Sequence, residues 1–168
     1  MLNLILKARE ERWLNRCQLA DIYKTSVITI TMNIPGPDKT KPKYIKAHSL
    51  FFSHFIKTLN KKKYHIVNKE IKVSFDGPVV YLISKEAPDK LKDLSIKLEE
   101  SHPLGRIMDI DIMDKDKRIY SRKDNQIKER KCLICDNPAR NCIVERKHDI
   151  TDILKEIDNI IDNYIENV

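Results

Sequence analysis

The sequence predicts an α+β fold: one domain with a mixed sheet of about five strands and three or four long helices. A cysteine-rich turn and a helix close the chain. Three observations carry this reading. Four segments place apolar residues at helical spacing, and five shorter runs alternate apolar and polar residues or run apolar throughout. The chain has 168 residues, 41% of them apolar, enough for a core of one domain. No internal repeat or low-complexity segment interrupts it. The domain is expected to span residues 1–168, with 130–168 as a candidate appendage.

In chain order, Leu2 to about Tyr23 reads as a helix whose apolar positions are Leu6, Trp13, Leu14, Leu19 and Ile22. Cys17 is expected in its core face. Ser26 to Met32 sets Val27, Thr29 and Thr31 against Ile28, Ile30 and Met32, the period of a strand. Asn33-Ile-Pro-Gly-Pro-Asp-Lys39 can continue neither element and is a loop. His48 to Asn60 carries Leu50, Phe51, Phe52, Phe55, Ile56 and Leu59 as a helical stripe. Ile71, Val73 and Phe75 alternate as a strand. Asp76-Gly77 then signals a hairpin turn before the apolar run Val79 to Ile83.

Ala87 to Glu100 is helical, with Leu91, Leu94 and Leu98 on one side. The run Ile107 to Met113 alternates as a strand, Asp114-Lys-Asp-Lys117 is a turn, and Ile119 to Arg122 returns as a short strand. Asp149 to Ile165 is an amphipathic helix with Ile153, Leu154, Ile157, Ile160, Ile161 and Tyr164 on one face.

A net charge of +7 points to an anionic partner. The lysines are scattered, and Lys61, Lys62 and Lys63 at a helix end meet the helix dipole. No basic stripe interleaved with aromatic residues is present, so nucleic acid is not the expected partner. No apolar run approaches the length of a membrane span, and Met-Leu-Asn-Leu-Ile-Leu-Lys is too short for a secretory signal. A cytoplasmic protein with no membrane partner is expected.

The chemistry concentrates in His102-Pro-Leu-Gly-Arg-Ile-Met-Asp-Ile-Asp-Ile-Met113. Residues two apart on a strand share a face, so Asp109 and Asp111 project together with Cα atoms about 7 Å apart. Two carboxylates so placed repel each other unless a cation sits between them. Mg²⁺ takes oxygen ligands and keeps positions open for a phosphate. Arg106 suits phosphate, and Gly105 would let a ligand approach the backbone. His102 titrates near neutrality and is a candidate base or phosphate donor, or the cap of the preceding helix. Asp114 and Asp116 either extend the site or make a turn. The pattern points to metal-assisted phosphoryl chemistry on a nucleotide-like molecule. The alternative is a pair of solvent-facing aspartates paired with lysines.

Cys132-Leu-Ile-Cys135, Cys142 and His148 have donor types that can complete a Cys₃His zinc tetrahedron, although the interval is short for familiar zinc sites. The alternatives are buried thiols, or Arg140, Arg146 and His148 as an anion-binding group beside structural cysteines. The loop with Asn33, Gly36 and Lys39 is either a ligand loop or a proline-stiffened connection.

These residues also carry a resemblance. The pieces are Ala8-Arg-Glu-Glu-Arg12 with Leu19, Thr31-Met-Asn-Ile-Pro-Gly-Pro37 with Lys39, and Gly77-Pro78 before Tyr81. Next come His102-Pro-Leu-Gly-Arg106 running into Asp109-Ile-Asp111, then Ser121-Arg122. The last is Arg130-Lys-Cys-Leu-Ile-Cys135 with Pro138-Ala139, Cys142, Arg146 and His148. In this order they resemble the apo-citrate lyase phosphoribosyl-dephospho-CoA transferase family, also called citrate lyase holo-acyl-carrier-protein synthase. Lys117 stands where that pattern has a turn glycine.

The resemblance implies transfer of a 2′-(5″-phosphoribosyl)-3′-dephospho-CoA group from its 5″-triphosphate precursor, triphosphoribosyl-dephospho-CoA. The acceptor is a serine of the citrate lyase acyl carrier (γ) subunit, and pyrophosphate leaves. The related transferase for the malonate decarboxylase carrier shares this chemistry, and a non-enzymatic zinc-containing RNA- or protein-binding module is the reading from another class. For the transferase, Asp109 and Asp111 are expected to hold Mg²⁺, with His102 as candidate base. Arg106, Lys39, Arg122 and Gly105 would meet phosphate, and Asn33 and Gly36 would form the substrate loop.

Overall fold

The computed structural model describes residues 2–122 and 129–168. Ten elements follow in order: α1 (Leu2–Tyr23), β1 (Ser26–Met32), α2 (Pro42–Lys61), β2 (Ile66–Ser74), β3 (Gly77–Ser84), α3 (Pro88–Ser101), β4 (Met108–Met113), β5 (Ile119–Tyr120), α4 (Ala139–Val144) and α5 (Ile150–Glu166). A short 3₁₀ turn, Gly105–Ile107, leads into β4.

The five strands form one sheet in the order β2-β3-β1-β4-β5. Every pairing is antiparallel, so the α+β class holds while the sheet is not mixed. Strands joined directly turn back on each other, as at the Asp76-Gly77 hairpin, whereas the two helix crossovers, β1-α2-β2 and β3-α3-β4, each skip one strand and join strands of the same direction. Gly77 carries φ +97°, a backbone conformation that favours glycine.

One face of the sheet holds the larger core. Ile28, Ile30, Met32, Val80, Leu82, Ile110 and Ile112 pack there with Phe51, Phe55 and Leu59 of α2. Leu91, Leu94 and Leu98 of α3 and Ile157 and Ile161 of α5 complete it. Helix α5 thereby contributes Ile157 and Ile161 to the main core. Pro42 occupies the first turn of α2, where its missing N–H costs nothing, and the helix starts six residues before the expected His48.

The opposite face is covered by α1, and here the expected apolar stripe holds only at Leu19. Leu6, Trp13, Leu14 and Ile22 are exposed, while Ile5, Ala8, Arg16, Leu19 and Ala20 are buried. Arg16 lies on the inward side with Leu19 and Ala20, and Arg9 and Arg12 also reach back, to Asp76 in the β2–β3 turn. Three arginines on this side hide the inner stripe from an apolar count.

Helix α3 closes the edge of β4 beyond the two-residue β5. Glu99 Oε1 accepts the Ile110 N–H at 3.0 Å, and Lys92 Nζ donates to the Ile110 carbonyl at 2.9 Å. Two side chains thus satisfy backbone groups that a longer neighbouring strand would have paired. Gly105 is needed where the 3₁₀ turn meets this helix. A Cβ there would sit 2.5 Å from the carbonyl oxygens of both Leu98 and Glu99. The glycine is therefore required by backbone packing alone, independently of the expected ligand approach.

Candidate functional site

Strand alternation places Asp109 and Asp111 on the α1 face of β4, as expected. Register sets Asp109 opposite Thr31 and Asp111 opposite Thr29 on β1. Each aspartate gives one oxygen to an arginine. Arg16 donates to Asp111 Oδ2 at 2.7 Å, and Arg130 donates to Asp109 Oδ1 at 3.2 Å. Burial, and then the neighbouring charge of Asp111, push the Asp109 carboxyl above its ordinary value. Among the described residues, the Arg16 Nε and the Thr29 hydroxyl are buried without a hydrogen-bond partner.

Arg130 ties this strand to the buried Glu99. Its guanidinium lies 2.6 Å from Glu99 Oε1, while Arg122 donates to Glu99 Oε2 at 2.6 Å and to Glu100 at 2.7 Å. Glu99 is thereby shared by two guanidinium groups and one backbone amide. Arg122, expected at phosphate, is held on these two glutamates.

A cavity of about 720 Å³ opens where β1 ends and β4 begins. Arg106, Arg130, Lys131, Arg146, Lys147 and His148 bring cationic or titratable groups to its wall. Asn33 and Pro35 contribute from the loop after β1, and Leu133, Ile143, Ile150 and Ile153 give apolar surface. The Arg106 guanidinium is held below its ordinary value, first by burial and then by the charges of Arg130 and Arg122. An anion would relieve that crowding. Arg106 also donates to the Lys131 carbonyl.

The remaining expected residues are distributed as follows. Asn33 lines the cavity, and its backbone N–H donates to the Ile107 carbonyl at 2.8 Å. Gly36 lies in the same loop at φ +81° with nothing near the position of a Cβ. Lys39 is buried, donating to the Ile34 carbonyl at 2.6 Å and standing 3.4 Å from Asp76. Asp76 also receives Arg9 and Arg12 at 3.1 and 2.6 Å. Lys39 thus pins the loop to the β2–β3 turn and to α1.

His102 is not brought to the aspartates. It packs edge-on to Phe51 and His54, its Nδ1 accepts the Leu104 N–H at 3.1 Å, and Nε2 lies 3.3 Å from the Tyr164 hydroxyl. Those neighbours belong to α2 and α5, across the sheet from α1. Burial, then the His54 charge, pulls its pKa down to about 4. Asp114 makes the turn expected of it, its Oδ1 accepting the N–H groups of Asp116 and Arg118 at 2.9 Å each.

Cys132, Cys135, Cys142 and His148 converge, with their ligating atoms all within 4.8 Å of one another. This group could hold a metal ion. Arg146 and His148 of the alternative anion-binding group line the cavity, and Arg140 does not. Arg16, Asp76, Glu99 and Arg130 belong to the site's framework and were not singled out by sequence as functional. For Glu99 a signal exists: Lys92, Ser95 and Glu99 recur at i, i+3 and i+7 beside the apolar stripe of α3.

Comparison with known proteins gives the class and the family. A family model described as apo-citrate lyase phosphoribosyl-dephospho-CoA transferase matches residues 1–164. The "Apo-citrate lyase phosphoribosyl-dephospho-CoA transferase" of Escherichia coli O1:K1 / APEC is 30% identical over 161 residues, covering 94% of this chain and 82% of that protein. The protein of the same name from Shigella boydii serotype 18 matches equally. "Protein CitXG" of Leuconostoc mesenteroides subsp. cremoris is 34% identical over 166 residues, or 95% of this chain. The chain spans only 34% of the length of that relative. The protein is a transferase. It belongs to the apo-citrate lyase phosphoribosyl-dephospho-CoA transferase family. Among the described residues no helix is long and apolar enough to cross a membrane.

Proposed function

We propose that the protein attaches the prosthetic group of citrate lyase. It transfers the 2′-(5″-phosphoribosyl)-3′-dephospho-CoA group from the 5″-triphosphate precursor to a serine of the acyl carrier (γ) subunit, and pyrophosphate leaves. The observation that carries this reading is the junction at Arg130. Its guanidinium lines the basic cavity and also reaches Asp109 at 3.2 Å, so a polyphosphate in the cavity would be linked through Arg130 to the aspartate strand, although the aspartates themselves do not line the cavity.

The reaction is of the nucleotidyltransferase type. The serine oxygen bonds to the α-phosphorus, the bond from that phosphorus to the β-phosphate oxygen breaks, and the hydroxyl proton passes to water. Charge builds on the nonbridging oxygens and on the departing pyrophosphate. Arg106, Arg130 and Lys131 bind and orient the anionic donor, guanidinium groups being suited to paired phosphate oxygens. Asn33 and Pro35 border the donor's entry, and the apolar wall of Leu133, Ile143 and Ile153 takes its less polar parts. Arg16 orients Asp111, and Arg130 orients Asp109.

The residues present suit a divalent cation: two carboxylates on one face, one of them disfavoured in its charged form by burial and then by the other's charge, each with an oxygen not taken by arginine. Asp109 and Asp111 would hold Mg²⁺, which when bound supplies neutralising charge for the polyphosphate and acidifies the attacking hydroxyl. His102 is given a structural role in this proposal, since its ring is spent on Leu104 and Tyr164. Lys39 and Arg122 support the framework and do not meet phosphate. The net positive chain would favour encounter with an acidic carrier and an anionic donor.

The test is to incubate apo-carrier, triphosphoribosyl-dephospho-CoA and Mg²⁺ with the protein and weigh the carrier by intact mass spectrometry. A gain equal to the phosphoribosyl-dephospho-CoA group, suppressed by EDTA, supports both the transfer and its metal. Modification of the malonate decarboxylase carrier instead would reassign the acceptor.

A further inference from the structure

We propose that Cys132, Cys135, Cys142 and His148 bind one tetrahedral zinc ion, and that this ion fixes the basic wall of the cavity against β4. The ligand set itself is the first argument. Three thiol sulfurs and one imidazole nitrogen are the donors of a closed structural zinc site. Zn–S bonds near 2.3 Å and a Zn–N bond near 2.0 Å put tetrahedral sulfurs about 3.8 Å apart and sulfur about 3.5 Å from nitrogen. Cys135 and Cys142 have their sulfurs 3.6 Å apart, and Cys135 Sγ lies 3.3 Å from His148 Nε2. A disulfide is excluded at that separation, since bonded sulfurs lie about 2 Å apart. All four cysteines of the chain are free. The Ile134 N–H donates to Cys132 Sγ at 3.4 Å, a contact that stabilises a thiolate ligand.

The second argument is what the segment lacks. From Glu129 to Asp149 only Cys142 is buried, and Ile134, Ile143 and Val144 are exposed. A single isolated bridge, Lys131 with Pro138, and the six-residue α4 are its regular structure. One buried thiol, the partly buried Leu133 and the Arg130 ion pairs are little to order twenty-one residues, each of which costs about 1–2 kcal/mol of backbone entropy. Small segments without a core are commonly ordered by a metal whose binding energy is folding energy.

The third argument is position. The residues just before the first ligand are Arg130 and Lys131. Arg130 reaches Glu99 and Asp109, and the Lys131 carbonyl receives Arg106. The last ligand, His148, lines the cavity beside Arg146 and Lys147. An ion joining the two ends of this segment would hold both basic groups of the wall at once. The zinc is therefore a structural ion that positions binding residues, separate from the carboxylate site.

The experiment measures metal content of the full chain purified under reducing conditions without chelator. One zinc per chain is expected. Cys135→Ser should lose it, and Cys17→Ser, outside the cluster, should keep it. Cobalt added to the reduced, metal-stripped protein should give the thiolate charge-transfer and d–d bands of a tetrahedral site. Absence of zinc together with absence of those bands overturns the metal. On metal removal, amide hydrogen exchange should accelerate through residues 130–149 while β1, β3 and β4 stay protected. Unchanged exchange in 130–149 would overturn the positioning role even with zinc bound. None of these readouts needs donor or carrier, so they stand apart from the outcome of the transfer assay.

Discussion

Glu99 and Arg130, thirty-one positions apart in sequence, meet at 2.6 Å with the glutamate side chain 1% exposed. The same carboxylate holds Arg122 and the Ile110 N–H, so one buried charge joins α3, β4 and the segment that enters the cysteine cluster. Glu99→Gln keeps an acceptor for the amide but removes the charge that two partly buried guanidiniums require. It should destabilise the protein by about 2–4 kcal/mol. Urea unfolding measures this as a lowered midpoint at unchanged slope, and an unchanged midpoint would remove Glu99 from the framework.

Gly105 gives a second prediction. Gly105→Ala forces a methyl group to within 2.5 Å of two carbonyl oxygens at the end of α3. The backbone must move, at a cost of about 2–3 kcal/mol. Melting temperature should fall markedly. A variant of wild-type stability with a raised KM would instead support the ligand-approach reading.

His102 predicts an acid sensitivity. Its folded pKa of about 4 lies below the ordinary 6.5, so between these values the unfolded chain binds a proton that the folded protein does not. Stability should fall as pH drops from about 6.5 toward 4 and level off below that, by roughly 3 kcal/mol from this group. His48 is shifted in the same direction by burial, so the comparison must be with a His102 variant. His102→Asn should flatten part of the slope in urea titrations across that range. Its transfer rate at neutral pH should stay within about tenfold of wild type, since general bases typically contribute 10²-fold or more.

Asp109 has the opposite sign. Its carboxyl is pushed above 3.8, so its ionisation opposes folding in the metal-free protein at neutral pH. That opposition appears as pH rises through the folded pKa and is absent below 3.8. Metal-free Asp109→Asn should melt at or above the wild-type temperature at pH 7, and the difference should vanish in acid. A variant that melts lower at pH 7 would mean the Arg130 contact outweighs the repulsion.

Much of the fold was legible because the core residues follow the periods of their elements. Met108, Ile110 and Ile112 alternate with the aspartates, and Ile153, Ile157, Ile160 and Ile161 share one side of α5. What failed has identifiable causes. The inner stripe of α1 carries Arg9, Arg12 and Arg16, so an apolar count chose exposed residues. Strand β2 is an edge strand, and in its first half Asn68, Lys69 and Glu70 leave no apolar alternation to read. Lys117 shows how a departure can be informative: it sits at φ 67°, the conformation that the family's turn glycine supplies freely.

The shared face of Asp109 and Asp111 was legible because the two lie close together on one strand. The candidate site was not legible where charges pair over long separations. Arg16 finds Asp111 from 95 positions away, and nothing local marks either as the other's partner. Lys39 and Arg122 were plausible phosphate ligands by type, yet Asp76 and Glu99 claim them. Residue chemistry alone does not reveal which charges are already neutralised.

The most direct test of the central claim compares wild type and Asp109→Asn, both confirmed folded, in the intact-mass assay with apo-carrier, triphosphoribosyl-dephospho-CoA and Mg²⁺. The wild-type protein should add one phosphoribosyl-dephospho-CoA group per carrier, and the variant should be slower by at least ~10²-fold. Transfer by the variant at the wild-type rate would contradict the aspartate site, and no transfer to either carrier by the wild type would contradict the function itself.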